Sequence, residues 1–186
     1  QKLGLDVADG INLTAINDNV TSATMLALGY TPAKRLASAI GPWGTESFSY
    51  DPVGNRLNDN LTSGSTTTAT LAAYASTSNQ LTGMTQNAAS LRSYAYDGAG
   101  NIITDTRPGQ VYQFAYNNRN RPASVMLNGS AYAAYGYNAL DQLVTRATAA
   151  TGGPVGTVGY IYDTQGHLIA ETHASTGATT RDYIWL

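Results

Sequence analysis

The chain has 186 residues, a formal net charge of −2 and 12% charged residues, so it carries neither the basic footprint of a nucleic-acid binder nor an acidic tail. It has no cysteine, which removes disulfide frameworks, thiolate metal sites and thiol catalysis, and no apolar run approaches membrane-spanning length. Its 13 tyrosines against 2 phenylalanines, amid abundant Ala, Thr, Ser and Gly, suit many short strands with frequent turns.

The sequence opens on Gln1 with no signal peptide, which predicts a processed or excised piece of something longer. From there a motif recurs in chain order. LGLDVADGINL (3–13) is a weak first copy with Leu5 where later copies have tyrosine, and LGYTPAKRL (28–36) is a degenerate second. FSYDPVGNRL (48–57), the degenerate AAYASTSNQL (72–81) and YAYDGAGNII (94–103) follow. FAYNNRNRP (114–122), YGYNALDQL (135–143) and YIYDTQGHL (160–168) complete the series. Anchored on Leu5, Tyr30, Tyr50, Tyr74, Tyr96, Tyr116, Tyr137 and Tyr162, the spacings are 25, 20, 24, 22, 20, 21 and 25. A period this regular predicts about eight tandem repeats of 20–25 residues across positions 1–186.

Each unit reads as a strand end, a reversal and a second strand. The aromatic pairs, such as Tyr94 and Tyr96, Tyr135 and Tyr137, or Tyr160 and Tyr162, lie two apart and leave one face of a strand. Asp51, Gly54 and Asn55, Asp97, Gly100 and Asn101, and Asp163 and Gly166 are turn chemistry: short side chains that bond their own backbone, and residues that tolerate positive φ. The intervening reversals vary. Asn128-Gly129 predicts a type I′ hairpin turn and Pro108-Gly109 a type II turn. Gly41-Pro42-Trp43-Gly44, Gly152-Gly153-Pro154 and Ser175-Thr176-Gly177 serve the remaining places.

No unit of this size can bury much alone, so stacking of neighbours must supply the stability, and cross-strand aromatic pairs add on the order of 0.2–1 kcal/mol each. Eight two-strand units exceed the ~10 strands an open twisted sheet usually tolerates before curling, splitting or flattening. The expectation is a curved antiparallel sheet of tandem β-hairpins with two open edges, one strip of a larger wall.

The unit Tyr-Asp-x-x-Gly-Asn-Arg-Leu at 50–57, with its period, resembles the YD repeat of the Rhs family, which includes bacterial Rhs polymorphic toxins, the C component of Tc toxins and teneurins. RDYIWL (181–186) resembles the entry to the Rhs-associated core segment. The resemblance implies a β-shell (cocoon) that encloses a C-terminal toxin domain, and export by a secretion system, commonly type VI. The partners it implies are the remainder of the shell, the enclosed toxin and components of the secretion apparatus. The family's self-cleavage segment is not matched here, and Asp51-Pro52 occupies an ordinary turn position.

Other constellations favour bland readings. His167 and His173 flank a strand-like segment with Glu171 in phase, but the three splay too far along it to share a metal, and a turn-bonding His167 is the better account. GAGN (98–101) precedes a strand instead of a helix, so a phosphate loop fails. No nucleophile elbow is present, and Asp51, Asp97 and Asp163 are one turn residue repeated. No enzymatic activity, cofactor or metal is expected. The competing reading is a carbohydrate-binding or adhesion surface built on the tyrosine ladder, with glycans as partners.

Overall fold

The structure is a computed structural model that describes residues 2–21, 23–149 and 156–185. Among the described residues it is all-β: seventeen strands, which within each compact unit pair antiparallel with their neighbours in sequence. Among the described residues no helix is long and apolar enough to cross a membrane. The chain divides into two compact units, residues 1–93 and 94–186.

The first unit holds β1 (Leu3–Ala8), β2 (Asn12–Asp18), β3 (Ala23–Tyr30), β4 (Leu36–Gly41) and β5 (Gly44–Tyr50). It continues through β6 (Arg56–Ser63), β7 (Thr66–Tyr74), β8 (Leu81–Gln86) and the start of β9 (Ala89–Tyr96). The second holds the end of β9, then β10 (Ile102–Arg107), β11 (Gln110–Tyr116), β12 (Pro122–Leu127) and β13 (Ser130–Tyr137). β14 (Leu143–Thr148), β15 (Gly156–Tyr162), β16 (Leu168–His173) and β17 (Thr179–Asp182) complete it. Seventeen strands exceed the sixteen of eight hairpins because β17 pairs with β16, Ala170 opposite Asp182.

Neither unit has a thick core. The buried apolar residues are small or medium, Ala39, Val125 and Ala133, and among the described residues no side chain falls below 2% exposure. The strand-end aromatics are half-buried while the residue between them faces solvent, as with Ala95 between Tyr94 and Tyr96 or Ala115 between Phe114 and Tyr116. Stability therefore rests on ladders of backbone bonds and on partly covered rings. A charge is also buried: Asp105, 4% exposed, accepts from the Arg107 guanidinium (Nη2 to Oδ2, 2.8 Å), which lies 4.9 Å from the Tyr112 ring centroid.

The register repeats as faithfully as the sequence. With the strand-end tyrosine as position 0, Tyr30 faces Leu36, Tyr50 faces Arg56, Tyr116 faces Pro122, Tyr137 faces Leu143 and Tyr162 faces Leu168. In each pair the ladder slips by one residue just before the tyrosine, a bulge that turns the strand end toward the rim. The first hairpin shows the same slip between Asp6 and Val7, with Val7 opposite Leu13. The expected anchor Leu5 instead lies inside β1 opposite Ile16 and is 63% exposed, so Val7 takes position 0 and the first spacing is 23.

Candidate functional site

The feature that recurs in both units is a rim of tight turns. After Tyr50, the Asp51 amide donates to the Asn55 carbonyl (3.0 Å) and the Gly54 amide donates to the Asp51 carbonyl (3.1 Å). The same two bonds close the turns after Tyr30, Tyr96, Tyr116, Tyr137 and Tyr162. They require left-handed backbone at position +4, which is Gly54 (φ 106°), Gly100 (87°), Gly166 (91°), Asn120 (63°), Asp141 (63°) and Lys34 (61°). The turn after Tyr74 is one residue longer, and Ala75 donates to the Gln80 carbonyl (2.9 Å).

Position +1 caps the turn. Asp97 Oδ1 accepts from the Ala99 and Asn101 amides, both at 2.9 Å, while Oδ2 accepts from the Asn101 side chain at 2.9 Å. Asp51 does the same with Gly54 and Asn55, and Asp163 with Gln165 and His167. Asn117 and Asn138 accept equivalent amide bonds through Oδ1. The Asn101 side-chain and backbone donors hold the Asp97 carboxyl below its ordinary range. At Asp51 and Asp163 partial desolvation pushes the carboxyl up, and the converging donors outweigh it, so both also titrate low.

A lowered carboxylate stabilises the fold above the unfolded aspartate range, and that stabilisation is lost as pH falls through the native value. Thermal melts should therefore drop as pH is lowered below about 4. In Asp51→Asn/Asp97→Asn/Asp163→Asn, which keeps the Oδ1 acceptor used at Asn117 and Asn138, the drop should flatten. Equal acid sensitivity in the two proteins would exclude this origin.

Tyrosine is needed at position 0 because its hydroxyl has a fixed partner. Tyr50 Oη donates to the Leu36 carbonyl (2.8 Å), Tyr116 to Ile102 (2.9 Å), Tyr137 to Pro122 (2.9 Å) and Tyr162 to Leu143 (2.9 Å). Tyr30 donates to Leu13 (2.8 Å) and Tyr74 to Arg56 (3.1 Å). Each acceptor is the first residue after the preceding turn, where the ladder has run out. The ring thus satisfies a backbone oxygen at the rim of the neighbouring repeat. Position −2 holds Phe48 and Phe114 in two repeats, so a hydroxyl is not required there.

One further residue keeps this role. Trp185 Nε1 donates to the Leu168 carbonyl (2.9 Å), with Tyr183 two residues before it as the −2 aromatic. The Tyr183 amide donates to the Ile169 carbonyl (3.0 Å), extending the pairing beside β16. Residues 181–185 thus carry the strand-end geometry of another repeat, with indole N–H in place of hydroxyl. The aromatic-x-aromatic spacing Tyr183-Ile184-Trp185 was the available signal, hidden by the change of ring.

Neighbouring turns are also joined side by side. Lys34 pairs with Asp9 and Asn55 donates to Asn79 (3.1 Å). Arg35 donates to the Asp51 carbonyl (3.0 Å), and Arg119 to the Ala139 carbonyl (3.1 Å) and to Asp141 (3.0 Å). Position +5 lies against the next position-0 ring: Arg35 is 5.7 Å from the Tyr50 centroid, Arg121 5.8 Å from Tyr137, and His167 stacks on Trp185 at 4.9 Å. The grooves between turns are shallow, as at the one lined by Asn117, Tyr137, Asn138 and Asp141.

On the opposite ends of the strands the loops differ. Asn128 (φ 51°) and Gly129 (φ 78°) both take left-handed backbone, as a type I′ turn needs, and Asn128 Oδ1 accepts the Val111 amide (2.8 Å) from the preceding hairpin. Gly109 is left-handed (φ 73°) after Pro108, as a type II turn needs. The sequence reading omitted Asn87-Ala88, which has the same two left-handed residues (φ 48° and 67°) and the same cross-strand bond, Ala69 N to Asn87 Oδ1 (2.8 Å). Only Gly makes the second position easy to recognise, and Ala88 hid it. Gly152-Gly153-Pro154 lies outside the described residues.

His167 Nδ1 sits 2.9 Å from Asp163 Oδ2, while His173 contacts Ser175 (3.1 Å) beyond the far end of the strand, so the structure does not bring them together. Among the described residues no group of three His, Cys, Asp or Glu side chains could hold a metal ion.

No curated protein matches the chain. Solved structures similar to it include the crystal structure of TcdB2-TccC3, 12% identical, covering 100% of this chain and 14% of that one at a TM-score of 0.49. Another is TcdB2-TccC3-TEV, 12% identical, covering 91% and 12% at 0.45. A third is the Photorhabdus luminescens Tc holotoxin pore with a TccC3 mutation, 16% identical, covering 94% and 10% at 0.36. The chain thus spans between 10% and 14% of the length of these structures' chains. The teneurin YD-shell family model matches residues 25–184, the stretch in which strand-end aromatics, capped turns and backward hydroxyl bonds recur, and the chain belongs to that family.

Proposed function

We propose that the chain is a segment of wall in an Rhs/Tc-type toxin shell, and that the wall encloses a C-terminal toxin domain until delivery. The observation that carries this reading is the interlocking of repeats without a thick core: within each unit, hydroxyl-to-carbonyl bonds and turn-to-turn contacts tie hairpins to their neighbours. Such a sheet suits a barrier. The residues of the turn motif, from Tyr50, Asp51, Gly54 and Asn55 to Tyr160, Tyr162, Asp163 and Gly166, act as fasteners in this reading, with no part in chemistry. Its partners are the remainder of the shell and the enclosed toxin, and the whole protein is exported by a secretion system.

The glycan reading has less support, because the position-0 tyrosines already commit their hydroxyls to backbone carbonyls. The test is protease protection in the full natural protein that contains this sequence. The region following the shell should resist digestion while the wall is intact and become sensitive once the wall is opened by mild denaturant. Digestion of that region at the same rate with the wall intact would overturn the enclosure. Retention of the 186-residue chain on a glycan array would favour the second reading.

A further inference from the structure

At position +5 a side chain lies against the aromatic anchor of the following repeat in three of the turns, at Arg35, Arg121 and His167. Where that residue is arginine, at Arg35 and Arg121, a permanent cation faces the ring. At the last described turn the residue is His167, stacked on Trp185 with an interplanar angle of 27°. Trp185 is the anchor that fixes the segment after β17 beside β16, through its N–H bond to the Leu168 carbonyl. The strand it completes, β17, has four residues, all exposed, and is paired only on its β16 side among the described strands.

We propose that His167 and Trp185 form a pH-sensitive clasp on β17. When the imidazole is protonated, its charge lies between the Asp163 carboxylate (2.9 Å) and the face of the indole, and a cation-π contact is added to the stacking. When it is neutral, the bond to Asp163 and the stacking contact remain, but the cation-π attraction is gone. The surrounding charges do not compete for it. On the neighbouring turn Asp141 is paired with Arg119 and Arg121. On β16 and β17, Glu171 is engaged by Tyr183 and Arg181, and Asp182 is exposed. Histidine at a place where other repeats carry Arg, Asn or Gln thus makes one fastener conditional, at the repeat that holds β17.

The test uses the 186-residue chain with Trp43→Phe, so that Trp185 is the sole indole. Its emission should fall as pH is lowered from 8 to 5, because a protonated imidazole against the ring quenches it. Over the same change, β17 amide exchange, corrected for intrinsic rates, should slow by about two- to five-fold, the change a cation over an indole at an exposed site corresponds to. In His167→Asn, which keeps a donor for Asp163 as Asn101 does for Asp97, both responses should vanish. In His167→Arg, exchange should stay slow throughout. His173→Asn should leave both responses unchanged. A pH response that survives His167→Asn, or one that is absent from the parent, would overturn the clasp.

Discussion

Replacing Gly100 and Asn101 together by valine is expected to destabilise the second unit by more than any other turn substitution. Gly100 sits at φ 87°, a conformation that costs a β-branched residue about 1–3 kcal/mol. Asn101 contributes both its amide and its side chain to the Asp97 carboxylate, and valine removes the side-chain bond. The loss should appear as a lower urea midpoint with an unchanged slope. Gly98→Val, in the same turn but with open space where its side chain would lie, should cost much less. Equal effects at the two glycines would refute the assignment of left-handed strain to position +4.

The second large effect is expected at Tyr116. Truncation to alanine removes a half-buried ring and the donor to the Ile102 carbonyl, for a loss of about 2–3 kcal/mol, below the 3–5 of a fully buried aromatic. Tyr116→Phe isolates the hydroxyl and should cost about 1 kcal/mol. Tyr135→Phe, at position −2, should cost little, since Phe48 and Phe114 already occupy that position elsewhere. If Tyr116→Phe and Tyr135→Phe prove equivalent in chemical denaturation, the backward hydroxyl bond is not what selects tyrosine.

The strands and the turn rim were legible because they obey local rules written many times over. Asp97 and Gly100 each have one dominant reason to stand where they do, and the period repeats that reason at Asp51 and Gly54. The purpose of tyrosine was not legible. A ring two residues from another predicts a shared face, whereas the Ile102 carbonyl that Tyr116 satisfies becomes its neighbour only through cross-strand register. For the same reason the first repeat was set on Leu5 instead of Val7: with neither aspartate nor tyrosine in place, only the bulge reveals the phase. Asn87-Ala88 escaped because alanine is atypical at its second position, and the Asp105–Arg107 pair, although both residues lie on β10, because its cover by Tyr112 is set by cross-strand register.

The hydroxyl bonds all run toward the amino terminus: Tyr30 reaches to Leu13, Tyr50 to Leu36 and Tyr162 to Leu143. A hairpin emerging from the ribosome therefore stays incomplete until its successor is synthesised and delivers the missing donor. Growth of the structure is vectorial, with the youngest module always awaiting the next. A stalled or shortened polypeptide would expose a raw carbonyl at its leading end, while everything made earlier is already sealed.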